Sequence, residues 1–141
     1  MAIGTLATVF GVVFLLVGVV GFFPSPPAPD ALPLTVEHGH GLALGLFPVN
    51  TIHNVVHLLF GAMGLMAAGG MLLSARVYFQ FLAVAYALLA ILGLLPATQT
   101  TFGLIPIYGN DVWLHALVAV TAGVIGFTNI FAGPAKVRAT A

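Results

Sequence analysis

The chain has 141 residues, of which 61% are hydrophobic, with three basic and three acidic side chains and no cysteine. A soluble globule carries about 25% charged residues, so this chain has too little polar surface to meet water and reads as an integral membrane protein. Zero net charge with no basic cluster excludes a nucleic-acid interface, and the lack of cysteine excludes disulfides, thiol chemistry and Cys-ligated clusters.

A hydrocarbon core of about 30 Å takes roughly 20 apolar residues in a helix. The first such stretch covers about residues 3–23. It has no basic flank and is long for the apolar part of a signal peptide, so it reads as a retained span. An outer loop follows over residues 24–50, opening with Pro24-Ser25-Pro26-Pro27-Ala28-Pro29, a composition that favours extended polyproline-like chain. The second span covers about residues 51–73, the third about 75–95 after a short link around Ser74, and the fourth about 112–132 after a loop from Pro96 to Asp111. Lipid offers no partner for free backbone groups, and none of the runs alternates polar and apolar as a barrel strand does. The expected fold is therefore all-α, an up-down transmembrane four-helix bundle in a single domain over residues 1–141. Arg76, Lys136 and Arg138 all fall on the side of the short link and the tail. The positive-inside rule puts that side and both termini in the cytoplasm, of a bacterial inner membrane or another energy-transducing membrane. The longer loops then lie outside, where Tyr108 and Trp113 suit an interfacial aromatic belt.

The second and fourth spans open alike. Gly45-Leu46-Phe47-Pro48 precedes His53 and His57, and Gly103-Leu104-Ile105-Pro106 precedes Asp111 and His115 at the same spacings. An offset of 58 maps Gly45, Leu46, Pro48 and His57 onto identical residues and maps His53 onto Asp111. The first and third spans end in the related runs Gly21-Phe22-Phe23-Pro24 and Gly93-Leu94-Leu95-Pro96. The chain thus reads as two tandem helical hairpins, about residues 3–73 and 75–132, in parallel orientation.

Residues four apart share a helix face, one turn and about 6 Å along the axis. His53 and His57 therefore share a face of the second helix, and Asp111 and His115 the matching face of the fourth. Ionisable groups inside a span are costly and point to function. Three imidazoles and a carboxylate suit a metal such as zinc, with His53, His57, Asp111 and His115 as ligands. His57 and His115 suit axial ligation of haem or of a chlorophyll-type pigment. The same groups also suit a plain interhelical hydrogen-bond network, and Asp beside His suits a proton relay. Asn50, Asn54 and Asn110 flank the cluster, with Asn50 and Asn110 expected as helix N-caps. Glu37-His38-Gly39-His40 lies in the outer loop and reads as a solvated loop rather than a lid or an added ligand set. Gly61, Gly64, Ala119, Gly123 and Gly126 read as close-packing positions, and Gln80 and Tyr86 as minor polar groups in packing.

The run His53-Asn54-Val55-Val56-His57-Leu58, ahead of a Gly-rich helix, and the run Asn110-Asp111-Val112-Trp113-Leu114-His115 resemble the motifs of the small bacterial membrane proteins grouped as domain of unknown function 4383. In that family the second motif reads Asp-Asn-Trp-Leu-His, so Asp and Asn stand transposed here. The resemblance implies a four-helix membrane protein and supplies no activity, cofactor or partner. Very small soluble regions favour a non-enzymatic accessory or structural subunit, in contact with membrane lipids and part of a larger membrane complex. A metal-dependent membrane enzyme or redox protein built on the same cluster is the first alternative. A small transporter or proton-conducting bundle is the second, although no second polar band lies deeper in the spans.

Overall fold

Helices form over the apolar runs, where the backbone can pair only with itself. In the computed structural model, which describes residues 2–25 and 33–131, they are α1 (Ile3–Gly21), α2 (Thr51–Ala68), α3 (Ala75–Leu94) and α4 (Asn110–Phe127). Each is long and apolar enough to cross a membrane. The all-α four-helix bundle is therefore the observed fold, and the chain is an integral membrane protein by the length and composition of its helices. Lys136 and Arg138, on which the expected orientation leans, lie outside the described residues, as do Asp30 and most of the proline run. The bundle has a loop end, where the long connections lie, and a link end, where α2 passes into α3.

Two helix boundaries differ from expectation for local reasons. Helix α2 stops at Ala68 because Gly70 turns left-handed at φ 69°. The amides of Gly70 and Met71 then donate back to Ala67 and Met66 at 3.1 and 3.0 Å, the Schellman arrangement that closes a helix. The link thus runs over residues 69–74, ending in Ser74, whose side chain caps α3 by accepting from Val77 N. Helix α4 starts earlier than expected, at Asn110, after Gly109 at φ 60°. It ends at Phe127, where Thr128 is extended, and Ala132 lies outside the described residues.

The closest helix packing lies within two pairs, α1 with α2 and α3 with α4. Helix α3 also touches α1 and α2, and its Tyr78, Phe79, Leu82 and Tyr86 are buried with Ala7 and Phe14 of α1, Ala67 of α2, and Ala122 and Ile125 of α4. Glycine lets the backbones meet. A methyl group on Gly61 would stand 2.8 Å from the Gly11 carbonyl oxygen, and one on Gly126 would stand 2.7 Å from the Gln80 amide nitrogen. At Gly123 a methyl would meet only the Ala83 methyl at 3.9 Å, so that glycine is not a close-packing position. At the link end Arg76 donates through Nη1 to the carbonyls of Gly126 and Thr128 at 3.1 and 2.8 Å. Gln80 donates to Gly126 O at 3.1 Å. A cation on the last carbonyls of α4 is favoured by the helix dipole, so Arg76 and Gln80 tie α3 to the end of α4.

The outer loop contains structure that the sequence did not announce. Strands β1 (Gly41–Ala43) and β2 (Phe47–Val49) pair antiparallel, Leu42 opposite Pro48. Their three-residue turn has Leu44 and Gly45 left-handed at φ 53° and 69°. Ser25, just after α1, bridges to Leu42. This hairpin lies across the loop end of the bundle, against both α1 and the start of α4.

Candidate metal centre

The local chain holds the cluster in place before any ligand is considered. Asn50 is fully buried and caps α2, its Oδ1 accepting from His53 N at 2.9 Å. Its Nδ2 donates to Val36 O at 3.0 Å and Leu104 O at 2.7 Å. One amide therefore fixes the start of α2, the outer loop and the loop before α4 together. Replacing Asn50 with alanine leaves three backbone groups without these partners. The loss is expected to be about 1–3 kcal/mol of stability, seen as a lower unfolding temperature in detergent, and His53 should lose its fixed position with it. Asn110, by contrast, is not the N-cap of α4: that place belongs to Gly109, and Asn110 Nδ2 reaches Leu46 O of the hairpin turn at 3.4 Å.

His53, His57, Asp111 and His115 are all buried, each 7% exposed or less. His53 Nδ1 lies 3.2 Å from Pro48 O, and His57 Nδ1 lies 3.2 Å from His53 O. A carbonyl can only accept, so both Nδ1 atoms carry the proton and both Nε2 atoms present lone pairs. This is the pattern by which second-shell carbonyls orient metal-ligating imidazoles. The two rings stack with centroids 4.6 Å apart, and the His115 ring lies 5.9 Å from that of His53. One ring nitrogen from each of His53, His57 and His115 falls within 4.8 Å of the other two. Zinc holds nitrogen ligands at about 2.0–2.1 Å, so modest side-chain rotation would close these three on one ion.

Asp111 completes the group at slightly longer range. Its Oδ2 is 3.7 Å from His115 Nε2 and 4.0 Å from His53 Nε2. Both separations exceed a hydrogen bond. Among the described residues, Asp111 Oδ2, His115 Nδ1 and both amide atoms of Asn54 have no hydrogen-bond partner. Buried polar groups are almost always paired, so this density of unpartnered atoms in one place is unusual for a purely structural network. Asn54 itself sits against α1, where a methyl on Gly21 would collide with its side-chain oxygen.

The surroundings are aromatic and apolar. Tyr86 of α3 meets His115 edge-on with centroids 4.9 Å apart and stacks on Phe14, which lies 5.8 Å from the His57 ring. Tyr86 thus walls the site, a role its place in an apolar helix gave no sign of. A cavity of about 170 Å3 adjoins His53, His57 and Asp111, with Leu16, Val17 and Val20 of α1 on one side and the hairpin above. His38 and His40 do not join the three imidazoles. His38 Nδ1 lies 2.9 Å from Thr51 Oγ1, which also donates to His38 O, and His40 lies 3.5 Å from the Tyr108 hydroxyl. The Glu37–His40 run is therefore fastened over the loop end and adds no ligand.

The two halves of the chain share a backbone detail at the offset of 58. Leu44 and Gly45 are left-handed, and so are Phe102 and Gly103 at φ 60° and 88°. Pro48 and Pro106, equivalent at the same offset, are both fully buried.

The sequence model of one protein family, described as "Domain of unknown function (DUF4383)", matches residues 5–128. No curated protein and no solved structure matches the chain.

Proposed function

The chain belongs to the DUF4383 family, and on that premise we propose that it is a membrane subunit that holds one transition-metal ion at the loop end of its bundle. His53, His57 and His115 are the ligands, and Asp111 beside them is the fourth ligand or the carboxylate that balances charge. The observation that carries this reading is the set of three buried histidines that each bring a ring nitrogen within 4.8 Å of the other two, with the Nδ1 atoms of His53 and His57 each held by a backbone carbonyl. The adjoining volume of about 170 Å3 is below the roughly 300–1,000 Å3 of sites for drug-sized ligands, which favours an ion over haem or a chlorophyll-type pigment. The shared left-handed turns at Leu44-Gly45 and Phe102-Gly103 support tandem duplication as the origin of the two half-sites. An accessory role in a larger membrane complex is motivated by the small share of chain outside the spans.

A metal-dependent membrane enzyme is the second reading, favoured by one feature. The cavity reaches His53 and His57 directly, and a catalytic metal needs such an open position.

Purification in mild detergent, reconstitution with zinc, and elemental analysis with a visible spectrum test the proposal. The expected result is about one metal per chain and no strong visible band. A haem or chlorophyll spectrum, or no retained metal, overturns it.

A further inference from the structure

The four helices are 18 to 20 residues long, or roughly 27–30 Å, which matches a hydrocarbon core of about 30 Å with nothing to spare. Whatever packs beside their end turns therefore lies at hydrocarbon depth. The tip of the β1–β2 hairpin packs there. Ala43, Leu44 and Phe47 share one cavity with Leu16 and Val17 of α1 and Leu114 of α4, and Leu16 and Leu114 stand about 6–8 Å inside the ends of their helices. Leu44 and Leu46 are nevertheless 73% and 53% exposed, as the lipid-facing Leu16 is at 61%. The hairpin tip thus continues the apolar surface of α1 instead of rising into water. Residues 41–49 contain no charged side chain. Leu44 is left-handed at φ 53°, a backbone that water-facing turns give to Gly, Asn or Asp. A strained leucine that hands its side chain to the medium fits a medium that is apolar. The second left-handed turn repeats the arrangement, with Phe102 75% exposed beside Gly103. Backbone groups facing lipid must be paired. The amides of Gly45 and Leu46 donate to Leu42 O and Ala43 O at 3.3 and 3.0 Å, and Asn110 covers Leu46 O at 3.4 Å.

We propose that the hairpin is a re-entrant lipid-binding element, with Leu44 and Leu46 among the acyl chains of the loop-side leaflet, about 5–10 Å into the headgroup and acyl boundary. Acyl chains are the occupant because the exposed tip is a single turn continuous with the lipid face of α1. The outer loop then divides in two. Glu37 and His38 are exposed and meet water, whereas the tip leaves the aqueous side and closes the cavity beside His53 and His57 against it. This surface goes beyond the metal centre, since it depends on the depth and chemistry of the hairpin and on no bound ion.

The chain has no cysteine, so a nitroxide can be attached at one chosen place. The test uses the full chain in phosphatidylcholine vesicles, carrying Leu44→Cys, Glu37→Cys or Val84→Cys, the last an exposed position near the middle of α3. Collisions are measured with oxygen, which concentrates in hydrocarbon, and with a water-soluble nickel chelate, which is excluded from it. The Leu44 label should follow the Val84 label in favouring oxygen, at shallower depth, with nickel collisions about tenfold below those at Glu37. Repeating the series with chelator and with zinc keeps the outcome independent of the metal reading. A second measurement guards against a label that unseats the tip. Leu44→Trp in a Trp113→Phe background should be quenched by phosphatidylcholine brominated on its acyl chains, and Glu37→Trp in the same background should not. Nickel access at Leu44 equal to that at Glu37 would place the tip in water and overturn the proposal. So would a Leu44 label shielded from both reagents, which means a covering protein, or a Leu44→Trp fluorescence that brominated lipid leaves unchanged.

Discussion

His115→Ala is expected to lower metal affinity by more than about 100-fold while leaving the bundle folded. The asymmetry follows from what each imidazole does for the protein alone. His53 and His57 bond to backbone carbonyls, so deleting either removes a structural hydrogen bond along with a ligand. His115 Nδ1 has no partner among the described residues, and its ring packs chiefly against the edge of Tyr86. Truncation therefore removes an unpaired polar atom as well as packed volume, and the two effects oppose each other. A ligand present at 100 times its dissociation constant stabilises the folded state by about 2.7 kcal/mol. In thermal unfolding, the zinc-loaded parent should lose that increment on adding chelator. The variant should unfold at one temperature with or without chelator, close to that of the metal-free parent. A chelator response retained in full by His115→Ala would remove His115 from the site.

Gly61→Leu is expected to be the most damaging single change in the transmembrane region. A first added carbon at Gly61 already meets Leu15 and the Gly11 carbonyl at 2.7–2.8 Å, and backbone cannot step aside as a flexible side chain does. Overpacking costs about 1–3 kcal/mol for modest additions, and a full isobutyl group at a backbone crossing should exceed that. Helices α1 and α2 would have to separate, and His53 and His57 ride on α2, so metal binding should fall too. Gly123→Ala is the control from the same class of residue. Its methyl meets only Ala83 at 3.9 Å, and alanine favours helix over glycine by up to about 1 kcal/mol. Denaturant unfolding in mixed micelles should place Gly123→Ala level with the parent or slightly above it, and Gly61→Leu far below.

Four spans were legible in the sequence because the membrane fixes their length and leaves few alternatives to a helix. The convergence of His53, His57 and His115 was legible from the four-residue spacing and the offset of 58, since both place like side chains on like faces. The end of α2 was not, because apolar composition continues through Met71 and Leu72 while the chain has already turned at Gly70. Nor was the β1–β2 hairpin: three-residue strands are too short to show alternation, and Pro48 argues against a strand until an edge position is known. Asn110 looked like an N-cap by type, but Gly109 takes the place by its backbone conformation. Gly123 matched the small-residue pattern of Gly126 without its close approach. The part of Tyr86 in walling the site escaped because it depends on which faces of uniformly apolar helices meet, and composition alone does not rank those faces.

The most direct measurement is X-ray absorption at the zinc edge on the reconstituted protein. Three imidazole nitrogens at about 2.0–2.1 Å, with the protein-bound zinc signal lost in His115→Ala, are the expected result. A spectrum without imidazole scattering, or one unchanged by that substitution, contradicts a metal held by His53, His57 and His115.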